Sequence, residues 1–219
     1  YRSQGLDAIP SRGPLAALTM AGAVSGWQMA LIESQRRGGT MPLSRLFEDA
    51  IQHARNGTPV SGALHRNAAG KLDELKDVPG FVETFLVDGA APNEGHNLKL
   101  PALADTFERL AEVGLDDFYR GDIAESIACE LEAAGSPLRA VDLAQHKALT
   151  VEPLSVSLKS GTAYTLPPPT QGLASMMILG ICERLGVSEA ESFAHVHSIV
   201  EASKLAFRVR DRYVSDPTY

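Results

Sequence analysis

Three consecutive prolines in the last quarter of the sequence restrict the fold of this chain more than any other feature. A proline fixes φ at about −65°, lacks a backbone N–H and disfavours the α region for the residue before it. Residues 166–169 are therefore expected to be rigid and extended, between a strand-like segment and two helices. The structural motif comprises Pro167, Pro168, Pro169, Thr170 and Gly172. Such a run is also typical of a linker or an SH3-type ligand, although patterned apolar segments flank it closely here.

Two helices are predicted after the prolines. Gly172 frees the backbone just before the uncharged residues 173–182, which indicate a buried helix, and a side chain at Gly172 is expected to hinder this turn if its φ is positive. Ser188 and Glu191 have the spacing of a capping box, which predicts a helix from there to about Arg212. One shared face of that helix is predicted to carry Phe193, Val196, Val200, Ser203 and Phe207.

The uncharged residues 13–32 invite comparison with a membrane span. They are dominated by alanine and glycine and are interrupted by polar side chains, so a strand, a turn and a buried helix explain them better. We expect the strand at Leu15–Met20, the turn at Ala21 and Gly22, and the helix at Val24–Arg36.

Further helices follow from apolar periodicity. Residues 43–54 form one continuous stripe, with Thr40 as the candidate N-cap and Gly57 as the candidate C-cap. A weaker helix is predicted from Ser61 to Leu75, and a strong one from Pro101 to Gly114. Between them, residues 81–87 alternate as a short strand or an ordered loop edge would. Strands are expected at about 149–166, with a hairpin turn at Ser160–Gly161.

Five stretches in chain order carry a family resemblance. They are Gly-Thr-Met-Pro-Leu at 39–43, Phe-Tyr-Arg-Gly-Asp-Ile-Ala at 118–124, Asp-Leu-Ala at 142–144, Pro-Pro-Pro-Thr-Gln-Gly at 167–172 and Glu-Ala-Ser-Lys-Leu-Ala-Phe at 201–207. Together they resemble the large subunit of the γ-glutamyltranspeptidase family over nearly the whole chain. The resemblance implies an α-rich α+β fold, the large-subunit part of an αββα N-terminal-nucleophile hydrolase sandwich.

The resemblance also implies an organisation and a chemistry. Residues 1–219 would be one large-subunit region, with a helical shell at 24–147, strands at about 149–166 and C-terminal helices at 172–212. The parent enzyme would cut itself, and the new N-terminal threonine would attack a γ-glutamyl amide such as glutathione, with its own amine as the adjacent base. The acyl group then passes to water or an amine.

The catalytic groups of that family fall outside this chain. The arginine that binds the substrate carboxylate is expected upstream of Tyr1, and the threonine downstream of Asp216 and Pro217. Thr218 cannot serve, because its amine is locked in a peptide bond. We therefore assign no catalytic residue, leave the substrate-binding residues unknown and expect residues 1–219 alone to be inactive.

The expected partners are the small catalytic subunit of the same precursor and a γ-glutamyl substrate, with no cofactor. Self-association through bare strand edges is also expected without that subunit. Alternatives within the family are a cephalosporin (glutaryl) acylase and a poly-γ-glutamate depolymerase. The alternative outside the family is that the chain is a noncatalytic helical module for binding or assembly. The resemblance leaves a periplasmic or a cytoplasmic location open and slightly favours the periplasm.

Composition and the remaining motifs narrow these options. A net charge of −7 without a long basic run argues against nucleic acid or an anionic membrane as the main partner. His195 and His197 are two residues apart on a predicted helix, where their rings diverge, so no metal site is predicted. Cys129 and Cys182 are isolated in apolar patterns and are predicted to be small core residues without a disulfide.

Overall fold

The structure is a computed structural model that describes residues 1–215. The expectations for Asp216, Pro217 and Thr218 lie outside the described residues. The chain divides into two compact units, Tyr1–Ala148 and Leu149–Tyr219, the second of which is described as far as Ser215. Each unit is considered by itself below, as unit 1 and unit 2. Within the described residues, no helix has both the length and the hydropathy that crossing a membrane requires.

Unit 1 is mostly helical. Its α-helices are α1 Ala23–Arg36, α2 Leu43–Asn56, α3 Gly62–Leu75, α4 Phe81–Phe85, α5 Pro101–Val113, α6 Asp117–Arg120, α7 Asp122–Ala133 and α8 Ala140–Gln145. Short 3₁₀ helices occupy Arg2–Gln4 and Pro14–Ala16, and two short strands, β1 Thr58–Pro59 and β2 Asn97–Leu98, pair antiparallel. Unit 2 contains β3 Leu154–Leu158, β4 Gly161–Thr165, α9 Gly172–Leu185 and α10 Phe193–Tyr213.

Glycine, proline and serine set several helix boundaries as the sequence predicts. Gly57 ends α2 with a φ of 95°, and Pro101 is the first residue of α5. Ser61 caps α3, because its side chain accepts a hydrogen bond from the backbone N of Leu64 at 3.1 Å. The predicted N-cap at Thr40 is wrong. Pro42 is the N-cap residue of α2, so Thr40 lies two residues too early for its hydroxyl to serve the first turn.

The predicted strand at Leu15–Met20 is wrong as well. A 3₁₀ turn at Pro14–Ala16 and irregular backbone replace it. The carbonyl groups that a ladder would use are bonded by side chains, because the Tyr1 hydroxyl donates to Leu15 O and the Ser136 hydroxyl donates to Ala17 O. This segment is therefore fixed by side chains from distant parts of the unit, and not by pairing with a neighbouring strand.

Residues 81–87 form a helix in their first five positions and not the predicted short strand. Gly80 enters this helix in the left-handed conformation, and the rings of Phe81 and Phe85 lie 5.7 Å apart one helical turn later. That i,i+4 aromatic pair is a helical contact which an alternating pattern of only a few residues cannot reveal. Val87 and Ala90 form an isolated bridge, so the alternative of an ordered loop edge holds for the end of the segment.

The core of unit 1 lies among α1, α5, α6, α7 and α8. Its buried apolar members are Val24, Leu110, Leu115, Tyr119, Ala124, Ala128 and Leu143. Aromatic rings extend the packing outward from this core, because Phe47 of α2 stacks on Phe107 of α5 with ring centroids 5.3 Å apart. Trp27 of α1 meets Phe47 edge to face at 6.0 Å.

Unit 2 is a β-hairpin on which α9 packs, and α10 packs against α9. Strands β3 and β4 pair antiparallel from Leu154↔Thr165 to Leu158↔Gly161. The turn lies at residues 159–160, one residue earlier than predicted, because Gly161 already belongs to β4. Alternate residues of β3 are half-buried on the side where α9 packs, and the residues between them are exposed.

Helix α10 begins four residues later than its predicted capping box requires. Glu191 has a φ of 60° and lies outside the helix, whereas the Ser192 side chain accepts a hydrogen bond from His195 N at 3.1 Å. Ser192 is therefore the N-cap and the prediction of a Ser188–Glu191 box is wrong. Helix α10 packs against α9, and its buried residues are the two alanines Ala202 and Ala206.

Candidate functional site

The proline motif forms a turn between β4 and α9, so the prediction that residues 166–169 are extended is wrong for Pro168 and Pro169. Pro168 and Pro169 are turn residues, and the peptide bond between them is cis. Thr170 closes the turn, because its backbone N donates to Pro167 O at 3.3 Å. The Thr170 hydroxyl also lies within hydrogen-bond distance of Leu166 O at 3.0 Å and of Pro167 O at 3.1 Å. These bonds to Thr170 reverse the chain where the prolines alone would leave it extended.

Glycine is needed at position 172 because the Thr165 side chain leaves no room for a Cβ there. Its φ is not in the left-handed region, so the sequence-based condition of a positive φ is not met. A Cβ at this position would overlap the hydroxyl of Thr165 and lie only 2.8 Å from its methyl carbon. The end of β4 and the start of α9 thus approach so closely that only a hydrogen fits at residue 172.

An arginine of α10 ties the proline turn to the rest of unit 2. The Arg210 guanidinium donates to the Gln171 side-chain oxygen at 3.1 Å and to Asp211 at 2.7 Å. It also lies 4.1 Å from the centre of the Phe207 ring, in a cation–π contact. The motif is therefore a connector fixed from two sides, by its own Thr170 and by α10.

The groups around this turn can position a chain but do not form a reactive set. A hydroxyl or thiol nucleophile needs an adjacent base that is itself held in orientation. Among residues 1–215, no hydrogen bond joins a serine, threonine or cysteine side chain to a histidine, aspartate or glutamate side chain.

A second polar arrangement, which sequence reasoning missed, is buried in unit 1. The Tyr119 hydroxyl donates to Ala21 O at 2.7 Å and accepts from Ser25 N at 3.0 Å. The Ser25 hydroxyl in turn accepts from Ala148 N at 2.7 Å. This junction joins the turn before α1, the first residues of α1, α6 and the last residue of the unit. Ser25 within an otherwise apolar run was the available signal.

A histidine packs against this junction. The His146 ring lies 5.2 Å from the Tyr119 ring, and its Nε2 is buried without a hydrogen-bond partner in the described structure. A Cβ added to Gly22 would lie 3.2 Å from that nitrogen. Arg120 holds the segment from the other side by donating to His146 O at 2.9 Å. Gly22 thus gives the His146 ring the room it occupies.

The strongest electrostatic arrangement of unit 1 is the group Arg109, Asp117 and Asp122. The Arg109 guanidinium donates to both carboxylate oxygens of Asp117, at 2.7 and 2.8 Å, and reaches Asp122 at 2.7 Å. The hydrogen bond from Arg109 lowers the pKa of Asp117, and the backbone N of Ile123 adds to that effect. The same bond raises the pKa of Arg109. This bidentate pair fixes the start of α7 against α5.

The sequence points to two histidines and two cysteines, and these four side chains do not gather at one site. His197 stacks on Phe193 at 5.5 Å, whereas His195 borders a cleft with Cys182 and Leu158. Within residues 1–215, no three His, Cys, Asp or Glu side chains are grouped as metal ligands would be. Both cysteines are free thiols. Cys129 is exposed, so its prediction as a core residue is wrong, whereas Cys182 is half-buried.

The fold is that of the α-rich large-subunit region of an N-terminal-nucleophile hydrolase. A cephalosporin acylase from Bacillus halodurans superposes with a TM-score of 0.88 over 99% of this chain and 41% of that chain, at 29% identity. A γ-glutamyltranspeptidase from Helicobacter pylori shares the fold with a TM-score of 0.86 at 23% identity, over 98% of this chain and 61% of that chain. The chain belongs to the gamma-glutamyltranspeptidase family, whose model matches residues 1–219.

The chain spans only part of the length of the curated relatives that it matches. It is 48% identical to an oxamate amidohydrolase proenzyme from Klebsiella pneumoniae, over 96% of this chain and 40% of that protein. It is 32% identical to a glutathione hydrolase proenzyme from Escherichia coli, over 90% of this chain and 34% of that protein. The chain therefore spans about two fifths or less of the length of these relatives, which is consistent with a precursor that contains another subunit.

Proposed function

We propose that this chain is the large-subunit part of a self-cleaving enzyme that hydrolyses γ-glutamyl amides such as glutathione, or transfers their γ-glutamyl group to amines. The observation that carries the proposal is the family match, which extends over residues 1–219. The glutathione hydrolase relatives support γ-glutamyl amides as the substrate class.

In this proposal the reaction takes place at a threonine outside this chain. Self-cleavage of the precursor frees the amine of that threonine, which then takes the proton from its own hydroxyl. The oxygen attacks the amide carbon, the C–N bond breaks, and the amine departs with a proton. Water or a second amine then releases the γ-glutamyl group from the ester. The partner required is the small catalytic subunit. Without it, the edges of the β3–β4 hairpin, which pair with no other strand among residues 1–215, favour self-association.

The role of the described residues is to hold this scaffold in one shape. The Thr170 bonds and the Arg210 contact fix the approach to α9, and the Tyr119 junction fixes the approach to α1. No reactive set accompanies either arrangement within residues 1–215. The structure thus supports a large subunit that positions other groups.

A second candidate is the hydrolysis of oxamate to oxalate and ammonia. The observation that favours it is the 48% identity to the oxamate amidohydrolase proenzyme, against 32% to the glutathione hydrolase of E. coli. Both substrates are amides whose acyl part carries a carboxylate, so one mechanism serves both. They differ greatly in length, and the acyl pocket must distinguish them.

The deciding experiment uses the intact precursor that contains this chain. Release of p-nitroaniline from γ-glutamyl-p-nitroanilide and release of ammonia from oxamate are measured at equal enzyme concentration, with glutaryl-cephalosporin as a third substrate. We expect a self-cleaved protein with the highest kcat/KM for the γ-glutamyl anilide. A clear preference for oxamate establishes the second candidate, and a preference for the cephalosporin makes the protein an acylase.

Two controls complete the assay. Residues 1–219 expressed alone should release no product from any of the three substrates, because no nucleophile and base are paired in the described part. Turnover by this piece that a substitution within it abolishes would contradict the proposal. An intact precursor that neither cuts itself nor turns over any substrate would favour the noncatalytic assembly module.

A further inference from the structure

A tight turn of unit 1 carries an aspartate directly before a glycine. Asp88 and Gly89 lie between Val87 and Ala90, which exchange two backbone hydrogen bonds of 2.9 and 3.0 Å. The φ angles of Asp88 and Gly89 are 52° and 77°. Two central residues with positive φ are typical of a type I′ turn. The bonds between Val87 and Ala90 therefore fix the turn, and its two central residues lie at the tip.

The backbone N–H of Gly89 is open to water. Asp88, Gly89 and Ala90 are all exposed. In the described part of the chain, the Gly89 N–H donates no hydrogen bond to another backbone group. Apart from the two neighbouring residues, no atom lies within 4 Å of the position that a Cβ on Gly89 would occupy. This nitrogen can therefore lose its proton to water and be approached closely by a neighbouring side chain.

An aspartate and a glycine in this order can react with each other. The Gly89 nitrogen attacks the side-chain carboxyl carbon of Asp88 and forms a C–N bond. The hydroxyl of the carboxyl group leaves as water, together with the proton from the nitrogen, and a five-membered succinimide ring closes. Water then opens the ring at either carbonyl carbon. Opening at the backbone carbonyl of residue 88 leaves the chain running through the former side chain, as isoaspartate, and the reaction requires no oxidant or cofactor.

A second pair, Asn56 and Gly57, has the more reactive side chain but is held by the fold. An amide loses ammonia more readily than a carboxyl group loses water at neutral pH, so Asn56 should react first in an unfolded chain. In the structure, the Gly57 N–H donates to His53 O at 2.9 Å, and the Asn97 amide donates to Asn56 O at 2.8 Å. The Asn97 side chain also lies 2.6 Å from the position of a Cβ on Gly57. The end of α2 is therefore packed, whereas the turn at Asp88 is open.

We propose that Asp88 is a modification site, which converts spontaneously to isoaspartate, and that the fold protects Asn56 and Gly57 from the corresponding deamidation. The reaction needs only water, so it is independent of the proposed enzymatic activity. The product has one additional carbon in the backbone at residue 88 and a carboxylate on its α-carbon. The bonds between Val87 and Ala90 fit a turn of two ordinary residues, so the modification should break this bridge.

Ageing of the intact precursor in water labelled with heavy oxygen measures both sites at once. The protein is kept for several weeks at neutral pH and physiological temperature, and its peptides are then separated by chromatography and sequenced by mass spectrometry. Each ring opening adds one heavy oxygen atom, isoaspartyl peptides separate from aspartyl peptides, and Asn56 also loses its side-chain nitrogen. A parallel sample in guanidinium chloride gives the two rates in the unfolded chain.

In the folded precursor, we expect Asp88 to take up the label before Asn56. The ratio of the rate at Asp88 to the rate at Asn56 should be at least about a hundredfold higher in the folded precursor than in denaturant, because the end of α2 must open before Gly57 can react. Faster labelling of Asn56 in the folded protein, or no isoaspartate at residue 88, would overturn the proposal. An unchanged ratio would overturn it too, because local sequence and not the fold would then set the order.

Two substitutions make the two sites chemically equal. In Asn56→Asp both pairs are aspartyl–glycyl, and in Asp88→Asn both are asparaginyl–glycyl, a sequence that type I′ turns also favour. Only the fold then distinguishes the sites, so conversion at position 88 should exceed conversion at position 56 at least about tenfold in each folded variant. Equal rates at the two positions in both variants would overturn the proposal. The measurement uses no substrate, so a precursor with this order of reaction and no γ-glutamyl activity would contradict only the proposed function.

Discussion

The two units of this chain bury opposite kinds of side chain. Unit 1 places Leu110 and Tyr119 in its centre, each about 1% exposed. Unit 2 places alanines and a glycine at its helix contact, whereas Phe193 and Tyr213 of α10 are 84% and 68% exposed. Each unit contains enough apolar residues for a core. Only unit 1 directs the large ones inward.

This difference shows how each unit obtains its stability. Burying a large apolar side chain contributes about 1.5–3 kcal/mol, and burying an alanine contributes much less. Unit 1 therefore has a core of its own, reinforced by the Tyr119 junction and the Arg109–Asp117 pair. Unit 2 buries smaller side chains at its helix contact, so burial there contributes less to stability.

The largest effect is expected for Tyr119→Ala in unit 1. The substitution leaves a cavity in the core and removes both hydrogen bonds of the hydroxyl, at an expected cost of about 3–5 kcal/mol. Tyr119→Phe retains the ring but leaves Ser25 N and Ala21 O without their partner, at about 1–3 kcal/mol. Urea unfolding of residues 1–219, followed by fluorescence, reports on unit 1 because Trp27 is the only tryptophan.

Equal costs for Tyr119→Phe and Tyr119→Ala would mean that the hydrogen bonds carry the whole effect. Negligible costs for both would contradict the view that unit 1 contains an independent core.

A smaller effect is expected at the proline turn of unit 2. Gly172→Val should cost about 1–3 kcal/mol, because its Cβ meets the Thr165 side chain. The readout is thermal unfolding followed by circular dichroism. Thr165→Ala removes the hydroxyl and methyl from the contact, so Gly172→Val should cost less in that background. An unchanged cost in the double variant would show that backbone conformation, and not this contact, excludes side chains.

The Arg109–Asp117 pair predicts an effect that depends on pH. The pKa of Asp117 is lowered from 3.8, because Arg109 hydrogen-bonds its ionised form. The ionised carboxylate therefore contributes its full stabilisation above about pH 4, and this is lost as the pH falls through the lowered pKa. Asp117→Asn should reduce the stability of unit 1 at pH 7, and the difference from the wild type should shrink in acid.

Urea unfolding by Trp27 fluorescence at pH 7, 5, 4 and 3 measures this difference. Asp73→Asn provides the matched control, because the Asp73 side chain is fully exposed at the end of α3. A pH-independent loss of stability in Asp117→Asn would indicate that the shape of the side chain matters there and not its charge.

Sequence reasoning succeeded at several helix boundaries that local residues set, although the caps predicted at Thr40 and Ser188 are wrong. Pro101 opens α5 and Gly57 closes α2 because each satisfies a rule about its own backbone, without regard to distant residues. The strand expected at residues 15–20 failed because its partners are side chains distant in sequence, Tyr1 and Ser136 among them. The prediction of an extended proline segment was wrong for a different reason. The hydrogen bonds of Thr170 to the carbonyl groups of Leu166 and Pro167 override the extended preference of the prolines.

Helix α10 shows the limit of periodicity most clearly. Helical spacing correctly places Phe193, Val200 and Phe207 on one face. It cannot tell how much of that face is buried, and these three side chains are 84%, 50% and 42% exposed. The family resemblance implies that the catalytic residues lie outside this chain, which stays a prediction. The Tyr119 junction and the space required at Gly172 became visible only in three dimensions.

The smallest effect is expected for Leu205→Ala on α10, and its comparison with Leu110→Ala tests the difference between the units directly. Leu205 is 50% exposed, whereas Leu110 is 1% exposed. Leu205→Ala should therefore change stability by less than about 0.5 kcal/mol. Leu110→Ala leaves a cavity in the core of unit 1 and should cost about 2–5 kcal/mol. The two substitutions remove the same carbon atoms, so the size of the side chain cannot produce this difference. Thermal unfolding of residues 1–219 measures both variants, and equal losses would contradict the view that only unit 1 directs large apolar side chains inward.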